Sequence, residues 1–419
     1  MVTISSCRYE SDDDPVIYPE EPESTSDTIA APKPEEYFRA LSLPNSYMVQ
    51  PGETITIPVI KAYAVWEQYK DILRTKLSRE ATLSATLLWQ DRKDLVASVV
   101  LTENEIEYSE ITVTLSNNSG NAVIAFKVDD IICWSWHLWV TNYVPENNIN
   151  GRTYEWDNNG DGISDYIWMD RNLGAISSGI KLTYVDSLDA CGLLYQWGRK
   201  EPFPGDRDLK AGFNNTIPRY YSRTIYDIDG NILEETGSIP GKGIHTTPIS
   251  IDKAVHNLYK AITNPLALLM HDRKESNPYE EWFISWDTKN TDNSLWGTNI
   301  GKGVFDPCPE GWRVPSYKNR LSPWNRLDNA STPYSRLGVF PLAGVRRHIE
   351  PQIPVGSLIW AGEMAYIWSS TPMISSPEEE VDYLKPTPGF AYAYQVLSNY
   401  SSTAYIGKSN AASIRCVRE

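Results

Sequence analysis

The chain has 419 residues, which is too many for one compact core and predicts two folded domains preceded by a tail. Its formal charge of −16 argues against a nucleic-acid partner, because binding to a phosphate backbone requires a basic face. The sequence has no run of about 18 apolar residues, so no membrane-spanning helix is predicted. The 25 Gly, 28 Pro and 11% aromatic residues favour short strands joined by many turns.

The N-terminal stretch MVTISSCRYESDDDP contains a motif that resembles a bacterial lipobox, Ile4-Ser5-Ser6-Cys7. Only six residues precede Cys7, without the basic and apolar regions of a signal peptide. Either the precursor begins upstream and Cys7 carries a lipid anchor, or Cys7 is an ordinary residue of a tail. Residues 8–36 are acidic and proline-rich, so residues 1–42 are predicted to form a disordered tether, which favours the lipid anchor.

Residues 43–145 are predicted to form an immunoglobulin-like β-sandwich. Apolar and polar residues alternate in SYMVQPGETITIPVIKAYAVW, ATLSATLLWQD, LVASVVLTE, EITVTLS and NAVIAFKV. The segment ends in IICWSWHLWVTNY, where alternate residues share one strand face. We interpret His137 as a packed histidine rather than a ligand, because no carboxylate lies nearby in sequence, and Cys133 as a small buried residue.

Residues 146–419 have a different pattern, in which tryptophans, glycines and long connections separate short apolar segments. This pattern predicts a loop-rich α+β domain. One helix is predicted in SIDKAVHNLYKAI, residues 250–262, because Ile251, Val255, Leu258 and Ile262 fall on one helical face.

A candidate calcium loop lies in DNNGDGISD, residues 157–165. Asp157, Asn159, Asp161 and Asp165 occupy positions one, three, five and nine of a calcium-binding loop. Trp168 stands where an EF-hand has its bidentate glutamate, so the sequence departs from that motif and is closer to shorter Asp-rich calcium loops. The same residues between RTYEW and YIWM also predict a polar hairpin turn, and both interpretations stay open.

The cysteines are widely spaced and form no CxxC motif, which disfavours a zinc site; they are Cys7, Cys133, Cys191, Cys308 and Cys416. Cys308, in DPCPEGWRVP, is compatible with a nucleophile, a metal ligand or half of a disulfide. A nucleophile requires a base beside it, and no histidine lies close to Cys308 in sequence. In WGRKEPFPG, Arg199 and Lys200 either form a binding fork or pair with an acidic neighbour such as Glu201.

Several motifs, in order along the chain, carry a resemblance to a known family. They are YIWMDRNLGA at 166–175, CGLLYQWGRKEPFPG at 191–205, DPCPEGWRVPS at 306–316, IWSSTP at 367–372 and IRCVRE at 414–419. Together they resemble the Fibrobacter major paralogous domain family, whose members are similar to C-type lectin-like and formylglycine-generating-enzyme-like domains. The preceding KAYAVW and CWSWHLWVTNY resemble the sandwich of fimbrillin-like surface lipoproteins of gut anaerobes.

This resemblance implies a C-type-lectin-like fold for residues 146–419 and a disulfide between Cys308 and Cys416. In C-type lectin-like folds, a cysteine near the main helix is bridged to one in the last strand. A disulfide that closes a loop of this length stabilises a protein by roughly 4–5 kcal/mol, and export would permit it to form. Cys191 is then expected to be a buried cysteine outside the disulfide.

The resemblance implies a non-catalytic lipoprotein exposed on the bacterial outer membrane, an adhesin or binding module for glycan or protein ligands. The alternative is a structural or tip subunit of a fimbria, assembled with other subunits through its sandwich. GxSxG, HExxH and glycine-rich phosphate motifs are absent from the sequence, so no enzyme is predicted.

The predicted partners are an extracellular ligand or fimbrial subunits, with the membrane contacted only through the lipid anchor. No cofactor is predicted beyond the candidate Ca²⁺. Tyr392, Tyr394 and Trp360 are aromatic residues that either stack on sugar rings or belong to the core, so the sequence assigns no ligand-binding residue.

Overall fold

The computed structural model describes residues 34–73, 76–146, 149–179, 184–205, 224–233, 244–249, 255–271, 282, 294–298, 301–327, 334–347, 356–373, 389–397 and 400–419. Cys7, most of the predicted tether and residues 250–254 of the predicted helix lie outside them. Strands predominate over helices in the described residues, so the protein is mainly β.

The helices are short: α1 (Pro34–Leu41), α2 (Ile60–Gln68), α3 (Lys70–Leu73), α4 (Tyr184–Cys191) and α5 (Val255–Thr263), with a 3₁₀ turn at Ile106–Tyr108. Within the described residues, no helix combines the length and the apolar composition that crossing a bilayer requires.

The strands are β1 (Ser46–Val49), β2 (Thr54–Pro58), β3 (Leu83–Gln90), β4 (Val96–Thr102), β5 (Glu110–Leu115), β6 (Gly120–Val128), β7 (Ile131–Val140), β8 (Thr153–Trp156), β9 (Tyr166–Met169), β10 (Leu193–Gln196), β11 (Pro202–Pro204), β12 (Ile225–Tyr226), β13 (Ile232–Leu233) and β14 (His245–Ile249). They continue with β15 (Ala267–His271), β16 (Gly297–Thr298), β17 (Gly301–Lys302), β18 (Trp312–Arg313), β19 (Tyr334–Ser335), β20 (Gly338–Val339), β21 (Val345–Arg346), β22 (Leu358–Ile359), β23 (Met364–Pro372), β24 (Phe390–Leu397), β25 (Ser401–Gly407), β26 (Ala411–Ser413) and β27 (Val417–Arg418).

Two helices lie where the sequence predicted other structure. α1 occupies the end of the range predicted as a tether, because Ala40 is buried and the Tyr37 hydroxyl donates a hydrogen bond to Glu107 (3.4 Å). The strand predicted over KAYAVW is wrong, since these residues form most of α2. α2 is buried on almost every side, and Trp66 Nε1 donates a hydrogen bond to Cys133 O (2.9 Å). A helix buried all round lacks the amphipathic period by which helices are usually found.

β7 and β6 form the centre of a six-stranded sheet with the order β1-β7-β6-β3-β12-β13. Residues 133–140 of β7 are all buried, so both faces of this strand are covered and its sequence is almost continuously apolar. β1 runs parallel to β7, with Ser46 beside His137, and the other neighbours are antiparallel. β2, β5 and β4 form a separate three-stranded sheet in that order.

Residues from both sides of position 145 share one hydrophobic core. Tyr226 of β12 pairs with Gln90 of β3. The Phe305 ring lies 5.3 Å from the Trp134 ring, measured between centroids. α5 buries Leu258 and Ile262 in the same core, which confirms the helix and this part of its predicted apolar face. The chain from Lys33 to Glu419 forms one compact unit.

The second large sheet has the order β11-β10-β26-β23-β24-β25, with β21 and β22 paired beside β26. β18, β27, β9 and β8 form a four-stranded sheet. Cys308 and Cys416 form the disulfide that the resemblance implied, with their Cα atoms 6.0 Å apart. Cys133 and Cys191 are buried and lie outside this disulfide, as expected.

Candidate functional site

A pocket of about 200 Å³ is lined by residues of β21, β23, β24 and β25 and of the segments that follow β21, β22 and β25. Its described lining consists of Val345, Arg347, Trp360, Tyr366, Phe390, Tyr405, Ile406, Gly407 and Asn410. A cavity of roughly 150 Å³ is known to hold one benzene ring, so this volume suits a single six-membered ring with a few substituents.

β21 leads into the pocket through two consecutive arginines whose side chains point to opposite sides. Arg346 is completely buried, and its guanidinium donates hydrogen bonds to Gly356 O (3.1 Å) and Pro204 O (3.2 Å). Arg347 is half-buried, and its guanidinium carbon lies 4.8 Å from the centre of the Trp360 ring. The first arginine therefore anchors the hairpin, and the second presents a cation at the pocket.

Trp360 begins the connection between β22 and β23 in an unusual conformation. Its φ of +58° lies in the left-handed region, which bulky side chains rarely adopt. The Trp360 carbonyl accepts hydrogen bonds from the backbone N–H groups of Glu363 (2.9 Å) and Met364 (3.0 Å). Gly344 permits the close approach of the segment that contains Ile359, since a Cβ at position 344 would lie 2.6 Å from Ile359 O. The backbone thus fixes Trp360 tightly at the edge of the pocket.

Aromatic side chains form much of the remaining wall. The Phe390 and Tyr405 rings meet edge-to-face, with centroids 5.7 Å apart. Tyr366 is buried, and its hydroxyl accepts a hydrogen bond from Gln395 Nε2 (2.8 Å). Burial raises the pKa of Tyr366 more than the positive charge of Arg347 lowers it, so this phenol keeps its proton at neutral pH.

Asn410 adds a buried amide to the lining. Its Nδ2 donates a hydrogen bond to Gly407 O (2.9 Å), which fixes the side chain against the end of β25. The pocket therefore combines aromatic faces with one cation, two phenols and one amide. Such a mixture of broad apolar surface and few polar groups is typical of small-ligand sites.

Trp360 alone among the three aromatic residues considered in the sequence lines this pocket. Tyr394 is a core residue whose ring stacks on Trp324 at 5.4 Å. Tyr392 stacks on Tyr317 at 4.6 Å. Sequence reasoning missed Arg347, and four further residues that it missed come from three strands of one sheet: Tyr366, Phe390, Tyr405 and Ile406. The alternation in FAYAYQV marks β24 as a strand, but no spacing in the sequence brings these positions together.

The candidate calcium loop has its first carboxylate engaged in a turn. Asp157 accepts hydrogen bonds from the backbone N–H groups of Gly160 (2.5 Å) and Gly162 (3.0 Å), and Arg326 Nη1 lies 3.6 Å from its Oδ2. Partial desolvation raises the pKa of Asp157, but these hydrogen bonds and the Arg326 charge outweigh it and lower the pKa.

The other predicted ligands are also hydrogen-bonded within the loop. Asp161 accepts from the N–H of Ile163 (2.8 Å), Asn159 accepts from the N–H of Asp161 (2.9 Å), and Asp165 accepts from the N–H of Asn158 (3.0 Å). In the part of the chain that the structure describes, no three His, Cys, Asp or Glu side chains are grouped so as to hold a metal ion. The geometry is that of a polar turn, and calcium binding stays a prediction.

No protein-family model, curated protein or solved structure matches this chain.

Proposed function

We propose that this protein is a non-catalytic binding protein of a bacterial cell surface, and that it holds one sugar ring of a glycan in the pocket beside Trp360. The observation that carries the proposal is the combination of ring-sized volume, aromatic walls and a few polar groups. A sugar ring has an apolar C–H face and a rim of hydroxyls. The apolar C–H face can pack on the aromatic side chains of the pocket. The hydroxyl rim can form hydrogen bonds with Arg347, Tyr366 and Asn410.

The chemistry of the lining supports binding rather than catalysis. Among the described residues of the pocket there is no carboxylate pair, no cysteine and no histidine that would act as nucleophile or base. The lining has two phenols, Tyr366 and Tyr405, and the raised pKa of Tyr366 keeps that residue protonated at neutral pH. A protonated phenol is suited to hydrogen bonding with a sugar hydroxyl.

The proposed location outside the cell rests on two features. The Cys308–Cys416 disulfide is the kind of bond that persists in oxidising compartments. The resemblance of residues 43–419 to fimbrillin-like surface lipoproteins, with Cys7 as the lipid attachment site, agrees with such a compartment. Within this proposal, residues 43–145 are an immunoglobulin-like sandwich and residues 146–419 a C-type-lectin-like domain.

The test uses the full chain and an array of neutral and charged glycans, followed by calorimetry on the glycans it retains. We expect Tyr405→Ala to weaken binding about tenfold, or ~1.4 kcal/mol, because it removes an aromatic wall of the pocket. Tyr400→Ala is the matched control, since Tyr400 is 45% exposed and lies outside the described lining of the pocket. Absence of any glycan binding, or equal loss in both variants, would overturn the proposal.

The second candidate function is a structural fimbrial subunit, favoured by the outer strand β4. In the described residues β4 ends the three-stranded sheet, and Val100 is 52% exposed. An outer strand with exposed apolar side chains can accept a strand from another copy of the chain. Concentration-dependent polymers in analytical ultracentrifugation, abolished by Val100→Lys, would support this role; a monomer at all concentrations would exclude it.

A further inference from the structure

We infer that the sugar ring carries a carboxylate group, and that Arg347 is the residue that recognises it. This inference rests on the proposed function, because it assigns the ligand class of the same pocket. It goes beyond that proposal in predicting an acidic sugar, such as a hexuronic acid, over its neutral counterpart.

The first step is the fixed position of Arg347. Its backbone N–H donates to Ser357 O (3.2 Å), and its carbonyl accepts from the N–H of Gly356 (3.0 Å). Arg346 next to it is completely buried, with its guanidinium bonded to backbone carbonyls. The base of the Arg347 side chain therefore has little freedom, and a ligand would lose little conformational entropy in ordering it.

The second step is the position of the guanidinium over the Trp360 ring, with 4.8 Å between the guanidinium carbon and the ring centre. A guanidinium that lies over an aromatic face keeps its N–H groups directed outward in its own plane. The surrounding fold holds Trp360 at a φ of +58°, a backbone strain of the kind that concentrates at functional sites. The strained tryptophan thus serves as a platform that orients the Arg347 fork.

The third step is the charge of the pocket. Arg347 is the single charged residue in the described lining of the pocket, and its charge is positive. The chain as a whole, in contrast, has a formal charge of −16. The positive charge of Arg347 also acts on Tyr366, whose pKa it lowers against the larger effect of burial. The charge of Arg347 therefore acts on a second residue of the lining, and it would also act on an anionic group bound beside it.

The fourth step is the match of shape between the fork and the anion. Two parallel N–H groups of a guanidinium bind the two oxygens of a planar carboxylate. Replacing the hydroxymethyl group of a hexose by a carboxylate adds almost no volume, whereas a sulfate or phosphate ester adds a bulky group. A pocket of about 200 Å³ therefore favours the carboxylate.

The experiment compares methyl glucuronide with methyl glucoside, and methyl galacturonide with methyl galactoside, by calorimetry on the full chain at low and high salt. We expect at least one acid to bind about tenfold or more tightly than its neutral counterpart. Arg347→Gln should abolish this difference, and Arg347→Lys should retain only part of it, because lysine keeps the charge without the planar fork. Arg326→Gln, an equal change of charge at a half-exposed arginine beside Asp157, should leave the difference intact.

The outcomes separate this inference from the proposed function. Equal binding of acid and neutral sugars would overturn the inference and leave the sugar pocket standing. Tighter binding of the 6-sulfate or 6-phosphate of the same sugars would overturn the carboxylate assignment. Absence of binding by any sugar would overturn both. The wild-type comparison needs no variant, so the inference stays falsifiable even where a variant fails to fold.

Discussion

Glu201 lies between two cations in the interior of the protein. Lys200 Nζ is 2.6 Å from Glu201 Oε1 and 4.1 Å from the centre of the Trp134 ring, and Arg199 Nε is 3.3 Å from Glu201 Oε2. The predicted pairing of these cations with Glu201 is thus confirmed. Burial raises the pKa of Glu201, but the charges of Lys200 and Arg199 outweigh it and lower the pKa, so the carboxylate stays ionised.

We predict that Glu201→Gln lowers the free energy of unfolding by roughly 3–5 kcal/mol, because it leaves two buried cations without a balancing charge. Urea denaturation at neutral pH measures this change. The matched control is Glu67→Gln, which breaks an ion pair with Lys70 whose side chains are 44% and 49% exposed. Glu67→Gln should change the free energy of unfolding by no more than about 0.5 kcal/mol. Equal effects of the two substitutions would contradict the prediction.

His137 is held neutral by its surroundings, as its interpretation as a packed residue requires. Asn121 Nδ2 donates to Asp91 Oδ2 (2.9 Å), which turns Asn121 Oδ1 toward His137 Nε2 at 2.9 Å. Nε2 therefore carries the proton, while Nδ1 lies 3.2 Å from Ser46 Oγ. Burial lowers the pKa of His137 to about 3.

This lowered pKa makes stability depend on pH. The unfolded chain takes up a proton on His137 below about pH 6.5, whereas the folded protein takes it up only near pH 3, so stability is complete above 6.5 and falls as the pH drops. We predict a loss of about 2 kcal/mol from this residue between pH 7 and pH 5. Denaturation curves at both pH values should show a smaller loss in His137→Gln. An identical pH dependence of wild type and variant would refute the assignment.

At the scale of elements, the disulfide joins the segments that lead into β18 and β27. Arg313 of β18 pairs with Val417 of β27, and the two cysteines are separated by 108 residues. We predict that Cys308→Ala combined with Cys416→Ala lowers the free energy of unfolding by roughly 4–5 kcal/mol, because the open chain gains loop entropy when it unfolds.

Thermal and urea denaturation measure this loss, and reductant supplies the control. Reduction should destabilise the wild type but leave the double variant unchanged, since the variant has no disulfide to lose. A double variant as stable as the oxidised wild type would show that the strand pairing alone holds these segments together.

Elements with a clear local period were predictable from the sequence. Alternation located β3, β4, β5 and β6, and a helical face located α5. α2 was missed because its residues are buried on all sides, so a helix there has no polar face to reveal its period. The whole of α1 was missed, because its stability depends on tertiary contacts such as the hydrogen bond from Tyr37 to Glu107.

At the scale of the whole molecule, the candidate site is a product of topology. Arg347 and Trp360 lie on neighbouring segments of one hairpin, whereas Tyr405 comes from a strand at the far edge of the sheet. Trp360 could be named in advance only as one aromatic among several. The disulfide was predictable because the resemblance supplied a partner for Cys308. No resemblance and no local sequence pattern indicated which residues meet in the pocket.

The shared core leads to a prediction about the predicted boundary at residue 145. Trp139 Nε1 donates to Ala175 O (3.2 Å), Phe305 packs on Trp134, and Tyr226 extends the sheet beside Gln90. A fragment of residues 146–419 would expose the apolar surface that these contacts cover and leave the added strand without its neighbour. We therefore predict that this fragment aggregates or unfolds without a cooperative transition.

The control is residues 34–419, which keep the whole described core and should unfold cooperatively at the same midpoint as the full chain. Adding residues 34–145 as a separate chain to freshly refolded 146–419 should restore part of the cooperative transition, because the missing surface is then supplied in trans. A fragment 146–419 that is soluble, and that melts cooperatively at the midpoint of the full chain, would mean that the contacts across residue 145 join two independently stable domains.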